Sequence, residues 1–293
     1  MTATGLQVTS GLLAAVRVRH WTKNALVLAP LLPAADRLSP QALLGAAGAF
    51  VIFCLISSAI YLVNDVVDVQ TDRAHPVKRH RPIAAGTVSP RTALGAAGAL
   101  AVAGLALASV HSVELLLVAA TYVAVLLAYC LWLKREPVVE LGIVASGFLL
   151  RALAGAVAAS IPLSPWFLLA AGFGSLFVAA GKRYAEAQRA YQGAETVRTV
   201  VRAYSRSYLR FVWTTAAALV IATYALWAFQ VHNQRDSAWS MVSTVPFVVA
   251  VLRYAINVDA GHAEEPEDVI LHDRMLLALG ALWVVLLLLA VFA

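Results

Sequence analysis

The sequence predicts an all-α polytopic membrane protein with nine transmembrane helices. Of its 293 residues, 61% are hydrophobic and only 13% are charged, whereas soluble domains are about 45–50% apolar. The apolar residues form runs of about 20, which is the length of a membrane-spanning helix. Most Lys and Arg residues lie between these runs, and such short basic loops are typical of the cytoplasmic side of a membrane protein.

Each predicted span is an apolar segment bounded by polar residues. The nine spans are 22–35, 41–64, 90–110, 113–133, 138–160, 165–183, 208–230, 239–256 and 274–292. The first is short, and the preceding segment 9–20 could extend it or lie along the membrane interface as an amphipathic helix. No connecting segment is long enough to fold alone, so we expect one transmembrane domain over residues 1–293.

The positive charges predict the orientation. All but three of the 22 Lys and Arg residues lie in or beside the segments 1–23, 65–89, 134–137, 184–207 and 257–273. The exceptions are Arg37 and Arg235 on the other side and Arg151 within a span. Because positive residues mark the cytoplasmic side, we expect the N-terminus inside and, with nine spans, the C-terminus outside. The net charge of +6 therefore reflects topology, and a nucleic-acid partner is not expected.

An acidic motif leaves the second predicted span. Tyr61 is followed there by Asn64, Asp65, Asp68 and Asp72. A helix turns by about 100° per residue, so the three carboxylates are predicted to fall within about 60° of one another. They would repel each other near a bilayer unless a cation lay among them, and such oxygen ligands suit Mg²⁺ shared with substrate phosphates. We predict metal ligands at Asn64, Asp65, Asp68 and Asp72, and catalytic roles for the three aspartates.

Basic residues follow the acidic motif directly. They are Arg73, His75, Lys78, Arg79, His80 and Arg81. Carboxylates for a metal next to cations for phosphate oxygens form the pairing that a metal–diphosphate site needs. The alternative is a solvated acidic helix end, with part of the basic run serving only to set the topology.

The acidic motif and the residues after it, as far as Gly86, resemble the first signature of the UbiA superfamily of intramembrane prenyltransferases. This resemblance covers the nine-span layout of the whole chain. It implies nine helices around a central cavity that opens to the cytoplasmic side, and a metal-bound diphosphate in that cavity.

The second acidic motif of this superfamily, D-x-x-x-D after the sixth span, is altered in this sequence. The corresponding segment holds two cations, Lys182 and Arg183, and one acid, Glu186. This segment and the N-terminal segment 19–24 resemble one branch, the decaprenyl-phosphate phosphoribosyltransferases. The branch implies transfer of a phosphoribosyl group from phosphoribosyl diphosphate to a polyprenyl phosphate for cell-wall arabinan, in the bacterial plasma membrane.

Two phosphate groups must then be held, and the sequence offers residues for each. The predicted contacts of phosphoribosyl diphosphate are Lys23, Tyr61, Asn64, Lys78 and Arg81. The predicted contacts of the lipid phosphate are Lys134, Arg151, Lys182, Arg183 and Glu186. An arginine within a span costs about 2.5–3.5 kcal/mol on insertion scales, so Arg151 is expected to have a function. It could instead pair with Glu140 or Glu186, and the other cations could only set the topology.

Two other functions are weighed. An ordinary prenyltransferase that uses a prenyl diphosphate and an aromatic acceptor is disfavoured by the altered second motif. A transporter of a phosphorylated lipid would show paired, interrupted helices in two halves, which this sequence lacks.

The sequence leaves the oligomeric state open, and a homo-oligomer is possible. The basic stretch 189–210 could attract anionic headgroups or cap the cavity. The acidic stretch 259–274 could be a solvated cytoplasmic connection, a lid over the site or a contact to the basic stretch.

Overall fold

The computed structural model describes residues 5–191 and 199–292, and all regular structure in these ranges is helical. Arg198, part of the basic stretch noted in the sequence, lies outside the described residues. The α-helices in chain order are α1 (Gly5–Ala15), α2 (Pro40–Val67), α3 (Val69–Ala74), α4 (Pro90–His111), α5 (Val113–Leu131), α6 (Val139–Ala158), α7 (Pro165–Tyr191), α8 (Arg206–Arg235), α9 (Trp239–Val242), α10 (Thr244–Asp259), α11 (Pro266–His272) and α12 (Arg274–Phe292). Short 3₁₀ turns lie at Lys78–His80, Leu133–Arg135 and Thr199–Ala203.

Eight helices of the described chain are long and apolar enough to cross a membrane, counting α9 and α10 together. The second to ninth predicted spans each fall on one of them. The first predicted span instead lies in a 20-residue 3₁₀ helix, Val18–Arg37, which contains Pro30 and Pro33. A 3₁₀ helix rises about 2.0 Å per residue, against about 1.5 Å in an α-helix. The short first span could therefore cover about 28 Å, close to the roughly 30 Å of a hydrocarbon core. Nine crossings remain a prediction.

The chain divides into two compact units. Unit 1 comprises residues 1–29, 40–134 and 150–160, and unit 2 comprises residues 30–39, 135–149 and 161–293. Both α6 and the long 3₁₀ helix contribute residues to both units. For this reason a single domain over residues 1–293 remains our prediction.

In unit 1, α2 packs on α4 and α5 around Phe53 and Ile56. The first part of the long 3₁₀ helix runs antiparallel to α2. The Trp21 indole donates a hydrogen bond to Ser58 Oγ at 3.1 Å, and three residues later the Asn24 amide donates to Ser57 Oγ at 3.2 Å. The 3₁₀ helix thus passes down α2, away from the end that carries the acidic motif.

Close packing of backbone supports this arrangement. At Gly155 of α6, a Cβ atom would lie 1.6 Å from the carbonyl oxygen of Val27. Only a glycine allows the 3₁₀ helix to approach α6 this closely, as is common between membrane helices.

In unit 2, α7 packs along α8, and α10 packs on both. An aromatic cluster fills the space between them. The Phe177 ring lies 6.2 Å from that of Trp213 and 5.4 Å from that of Tyr254, and Tyr184 lies 6.1 Å from Trp213. Van der Waals packing of these large rings contributes to the stability of the unit.

At the end of α8, an arginine joins three segments of unit 2. Arg235 donates hydrogen bonds to both carboxylate oxygens of Asp36, at 2.9 and 3.0 Å, and to the carbonyl oxygens of Pro33 and Val291. These hydrogen bonds hold the pKa of Asp36 below its ordinary value. Arg37 lies 3.5 Å from the same carboxylate. The two cations predicted outside the cytoplasm therefore meet at one residue.

Candidate active site

The acidic motif occupies the junction between α2 and α3. Helix α2 ends at Val67, and Asp68 precedes α3 with φ −90° and ψ 4°. Helical hydrogen bonds nevertheless continue across the junction, from Asp68 N to the Asn64 carbonyl oxygen at 2.9 Å and from Asp72 N to the Asp68 carbonyl oxygen at 2.8 Å. The helical spacing expected from the sequence is thus kept, with a local break at Asp68.

Two of the three carboxylates converge. Asp65 and Asp72 are only 2% and 3% exposed. Arg81 Nη1 donates to Oδ1 of Asp65 at 3.1 Å and to Oδ2 of Asp72 at 2.7 Å. The chain reverses between α3 and α4, and this turn brings Arg81 back onto the acidic motif. One guanidinium therefore compensates two buried negative charges.

A second arginine reaches Asp65 from the N-terminal part of unit 1. Arg17 Nη2 lies 2.5 Å from Oδ1 of Asp65, and its guanidinium lies 5.3 Å from the centre of the Tyr61 ring. Arg17 follows α1 with φ 57°, a left-handed conformation that usually belongs to glycine at a helix end. Such a conformation costs about 1 kcal/mol or more in other residues, and here it accompanies a short contact with the acidic motif.

Asp68 has a different partner from the other two aspartates. Lys134, at the end of α5, places Nζ 2.5 Å from Oδ1 of Asp68. Both side chains are partly exposed. The structure therefore brings Lys134, which the sequence assigned to the lipid phosphate, next to the predicted metal ligands.

The superfamily resemblance implies a divalent metal, and the donors of the acidic motif can be tested against it. Carboxylate and amide oxygens are suitable ligands for Mg²⁺, and Asp65 and Asp72 already converge on one positively charged nitrogen of Arg81. Over residues 5–191 and 199–292, however, no three acidic, His or Cys side chains are grouped as a metal site. The oxygen atoms of the acidic motif are nevertheless chemically suitable as Mg²⁺ ligands. A set that also includes Asp68 and Asn64 remains a prediction.

Arg151 lies deeper in unit 1, on α6, and is 6% exposed. Its Nε donates to Oδ1 of Asn24 at 2.7 Å, and its Nη2 donates to the Tyr122 hydroxyl at 2.8 Å. The guanidinium also lies 5.0 Å from the centre of the Tyr122 ring. Arg151 thus belongs to a buried polar network in which Asn24 is fully buried.

In unit 2, the altered second motif forms a compact ion cluster. Arg183 is buried and donates to both oxygens of Glu140 at 2.8–3.1 Å and to both oxygens of Glu186 at 2.9–3.0 Å. Glu140 is fully buried and also lies 3.5 Å from the Tyr204 hydroxyl. Two carboxylates thus engage Arg183 through all three of its side-chain nitrogens. Direct contact of Arg183 with the lipid phosphate remains a prediction.

The remaining predicted residues lie at the surface or are half-buried. Lys182 pairs with Glu265 at 3.3 Å in unit 2. Lys23 and Lys78 are half-buried in unit 1, and the backbone N–H of Lys78 donates to His75 Nδ1 at 3.2 Å.

Sequence reasoning missed several members of these networks. Arg17 precedes the recognised N-terminal segment by two residues, and its charge was attributed to topology. Asn24 was noted only as part of the N-terminal segment 19–24, and Tyr122 carries no signal of its own, because a lone polar residue in a span does not reveal its partner. Glu140 was considered only as a partner for Arg151, whereas the structure pairs it with Arg183.

Known proteins resemble this chain over nearly its full length. The model of the UbiA prenyltransferase family matches residues 25–280. A decaprenyl-phosphate phosphoribosyltransferase of Mycolicibacterium smegmatis is 48% identical over 289 residues, covering 94% of this chain and 90% of that protein. One of Corynebacterium glutamicum is 46% identical over 288 residues, covering 96% and 87%.

The fold is also found among solved structures. A UbiA homolog from Archaeoglobus fulgidus, solved with GPP and Mg²⁺, superimposes with a TM-score of 0.72 at 15% identity, covering 96% of this chain and 98% of that one. The apolar helices and the family match together indicate an integral, multi-pass membrane protein. The chain belongs to the UbiA prenyltransferase family.

Proposed function

We propose that the protein transfers the 5-phosphoribosyl group of phosphoribosyl diphosphate to a polyprenyl phosphate, of the decaprenyl type, and releases diphosphate. The observation that carries this proposal is the 48% identity, over nearly the whole of both chains, to a protein named decaprenyl-phosphate phosphoribosyltransferase. The enzyme is then a pentosyltransferase that supplies a lipid precursor for cell-wall arabinan. We place it in the bacterial plasma membrane with the acidic motif facing the cytoplasm.

The acidic motif is proposed to hold Mg²⁺ and the diphosphate of the sugar donor. Asn64, Asp65, Asp68 and Asp72 would be the ligands. When bound, the metal would stabilise the negative charge that develops on the leaving diphosphate.

The cations that now pair with the acidic motif are suited to the phosphates. Arg17, Arg81 and Lys134 all lie within 3.1 Å of its carboxylate oxygens. Their N–H groups can equally donate to phosphate oxygens, and such charge-assisted hydrogen bonds are about twice as strong as neutral ones. Lys23, Tyr61 and Lys78 are proposed as further contacts to the donor.

The polyprenyl phosphate, which is the acceptor, would need to be oriented more than it would need to be activated. A phosphate monoester is already anionic at neutral pH, so its oxygen can attack the anomeric carbon without a strong base while the bond to diphosphate breaks. Lys134, Arg151 and Lys182 are proposed to orient the lipid phosphate. Arg183 and Glu186 would act from within their ion cluster, by fixing the end of α7.

A two-substrate assay tests the proposal. The protein in detergent is incubated with Mg²⁺, phosphoribosyl diphosphate and polyprenyl phosphates of several chain lengths, and the lipids are analysed by mass spectrometry. The expected product is a phosphoribosylated lipid phosphate that disappears with a metal chelator. A parallel arm supplies a prenyl diphosphate and an aromatic acceptor. A prenylated aromatic product there, with no phosphoribosyl lipid in the first arm, would establish the alternative enzyme.

A further inference from the structure

A surface pocket of about 650 Å³ lies in unit 2, between α7 and the first turns of α8. It is lined by Tyr184, Arg206, Ser207, Arg210, Phe211 and Thr214. None of these residues takes part in the proposed transfer reaction. The pocket combines two arginines at one end with apolar surface on a membrane-spanning helix.

The arginines retain unused hydrogen-bond donors. Within the described part of the chain, Arg206 has no hydrogen bond or ion pair, and its guanidinium lies 5.7 Å from the centre of the Tyr191 ring. Arg210 donates to the Tyr184 hydroxyl at 3.0 Å and to Asp259 Oδ1 at 2.8 Å, in both cases through Nη2. An arginine has five N–H donors, so Nε and Nη1 of Arg210 are available to an oxyanion.

The apolar end of the pocket continues along the helix. Phe211 is 64% exposed, and Phe229 on the same helix is 51% exposed. The two positions are about five helical turns apart, so they lie on one face about 27 Å from each other. Leu226 is also exposed and lies within about 60° of that face. An extended hydrocarbon chain could therefore follow α8 from the pocket across most of the membrane.

We propose that this pocket binds an anionic membrane phospholipid, with its phosphate at Arg206 and Arg210 and an acyl chain along α8. In the orientation predicted from the basic residues, the start of α8 lies at the cytoplasmic interface, where anionic lipids attract Lys and Arg side chains. Asp259 shares Arg210 and lowers its attraction for an anion, so Arg206 contributes the larger part. A free phosphate ion has no hydrocarbon chain and would not contact the exposed apolar face of α8.

Native mass spectrometry of the full chain in mild detergent tests this site. Phosphatidylglycerol and phosphatidylcholine with identical acyl chains are titrated in turn. The wild-type protein is expected to bind phosphatidylglycerol more tightly. Arg206→Gln should weaken that binding about fivefold, which corresponds to about 1 kcal/mol for one basic residue at the interface. Phosphatidylcholine carries the same phosphate group, but its choline cation offsets that charge, so its binding should weaken much less.

The matched control is Arg91→Gln, which removes one positive charge from an exposed residue at the start of α4. It should leave both affinities unchanged. An equal loss of phosphatidylglycerol in this control would overturn the proposal, because net charge alone would then explain the preference. The proposal would also be overturned if phosphatidylglycerol bound unchanged to Arg206→Gln and to the double variant Arg206→Gln, Arg210→Gln.

Competition identifies the occupant. Inorganic phosphate at millimolar concentration should not displace phosphatidylglycerol, because it gains nothing from the apolar face. Polyprenyl phosphate that displaced phosphatidylglycerol at equal concentration would contradict the assignment to a membrane phospholipid. The unfolding temperature of Arg206→Gln without added lipid should stay close to that of the wild type, since Arg206 is exposed and in the described structure its side chain contacts only the Tyr191 ring.

Discussion

The three aspartates of the acidic motif are held by three different sets of cations. Asp65 contacts Arg17 and Arg81, Asp72 contacts Arg81, and Asp68 contacts Lys134. Buried carboxylates are costly unless they are paired, and each acid contacts at least one cation in this structure, with Arg81 shared between Asp65 and Asp72. The same cations can bind a phosphate, and this dual capacity is what suits the site to a charged sugar donor beside lipid.

Asp68 is the most informative of the three to change, because it is less buried than Asp65 and Asp72. We expect Asp68→Asn to lower the rate of phosphoribosyl transfer roughly 100-fold or more, the usual effect of removing one stabilising group from a charged transition state. Initial rates of product formation measure this. Asp236→Asn is the control, since Asp236 is exposed at the end of α8, and a similar loss there would remove the specific role of Asp68.

Arg17 is expected to contribute to binding of the sugar donor. Arg17→Gln should raise the KM for phosphoribosyl diphosphate roughly tenfold, because a hydrogen bond to a charged group contributes about 1.5–3 kcal/mol. Arg17→Lys should recover part of the loss. Isothermal titration of the donor provides a second measurement that does not depend on turnover. If Arg19→Gln, at an exposed neighbouring position, had the same effect, Arg17 would contribute only general positive charge.

At the level of elements, the long 3₁₀ helix depends on small residues in its neighbours. Its contacts with α2 are hydrogen bonds from Trp21 and Asn24, and its contact with α6 is direct backbone packing of Val27 on Gly155. An element with poor internal hydrogen-bond geometry that also contains two prolines requires such support from outside. The stability of its first part, up to Ala29, therefore depends on the packing of unit 1.

Gly155→Ala tests this support. The added methyl group would overlap the Val27 carbonyl, and because that is backbone it cannot simply rotate away. Overpacking of this kind costs about 1–3 kcal/mol, so the midpoint of thermal unfolding in detergent should fall. Gly142→Ala on the same helix meets nothing within 4 Å and should be neutral or stabilising by about 0.5–1 kcal/mol. Equal midpoints for the two variants would mean that the close approach is not important for stability.

At the scale of the whole molecule, the sequence predicts the apolar helices, which depend on local composition. It does not predict the side-chain pairs between helices, which depend on packing. Eight spans are confirmed because about 20 consecutive apolar residues leave few alternatives to a membrane helix. The pairing of Lys134 with Asp68 could not be predicted, since it joins two helix ends 66 residues apart in the chain. The 3₁₀ form of the first predicted span was missed as well, because hydropathy reports polarity and not the type of helix.

Whether the 3₁₀ helix crosses the membrane decides on which side the N-terminus lies. If the 3₁₀ helix crosses, there are nine crossings, and residues near Arg17 and Phe292 lie on opposite sides. Two observations favour this: the 3₁₀ helix passes down α2 away from the acidic motif, and Asp36 at its far end pairs with Arg235 at the end of α8. Basic residues then mark the cytoplasmic side at the start of α8.

Fusions to two reporters measure this directly, one active only in the cytoplasm and one only outside it. A reporter fused at the N-terminus should be active in the cytoplasm, and a reporter inserted after His111, between α4 and α5, should be active outside. Insertion after Arg135, between α5 and α6, should report the cytoplasm and serves as the matched control. Activity outside for the N-terminal fusion, with the two internal fusions as expected, would mean that the chain crosses eight times. The 3₁₀ helix would then enter and leave the membrane on one side.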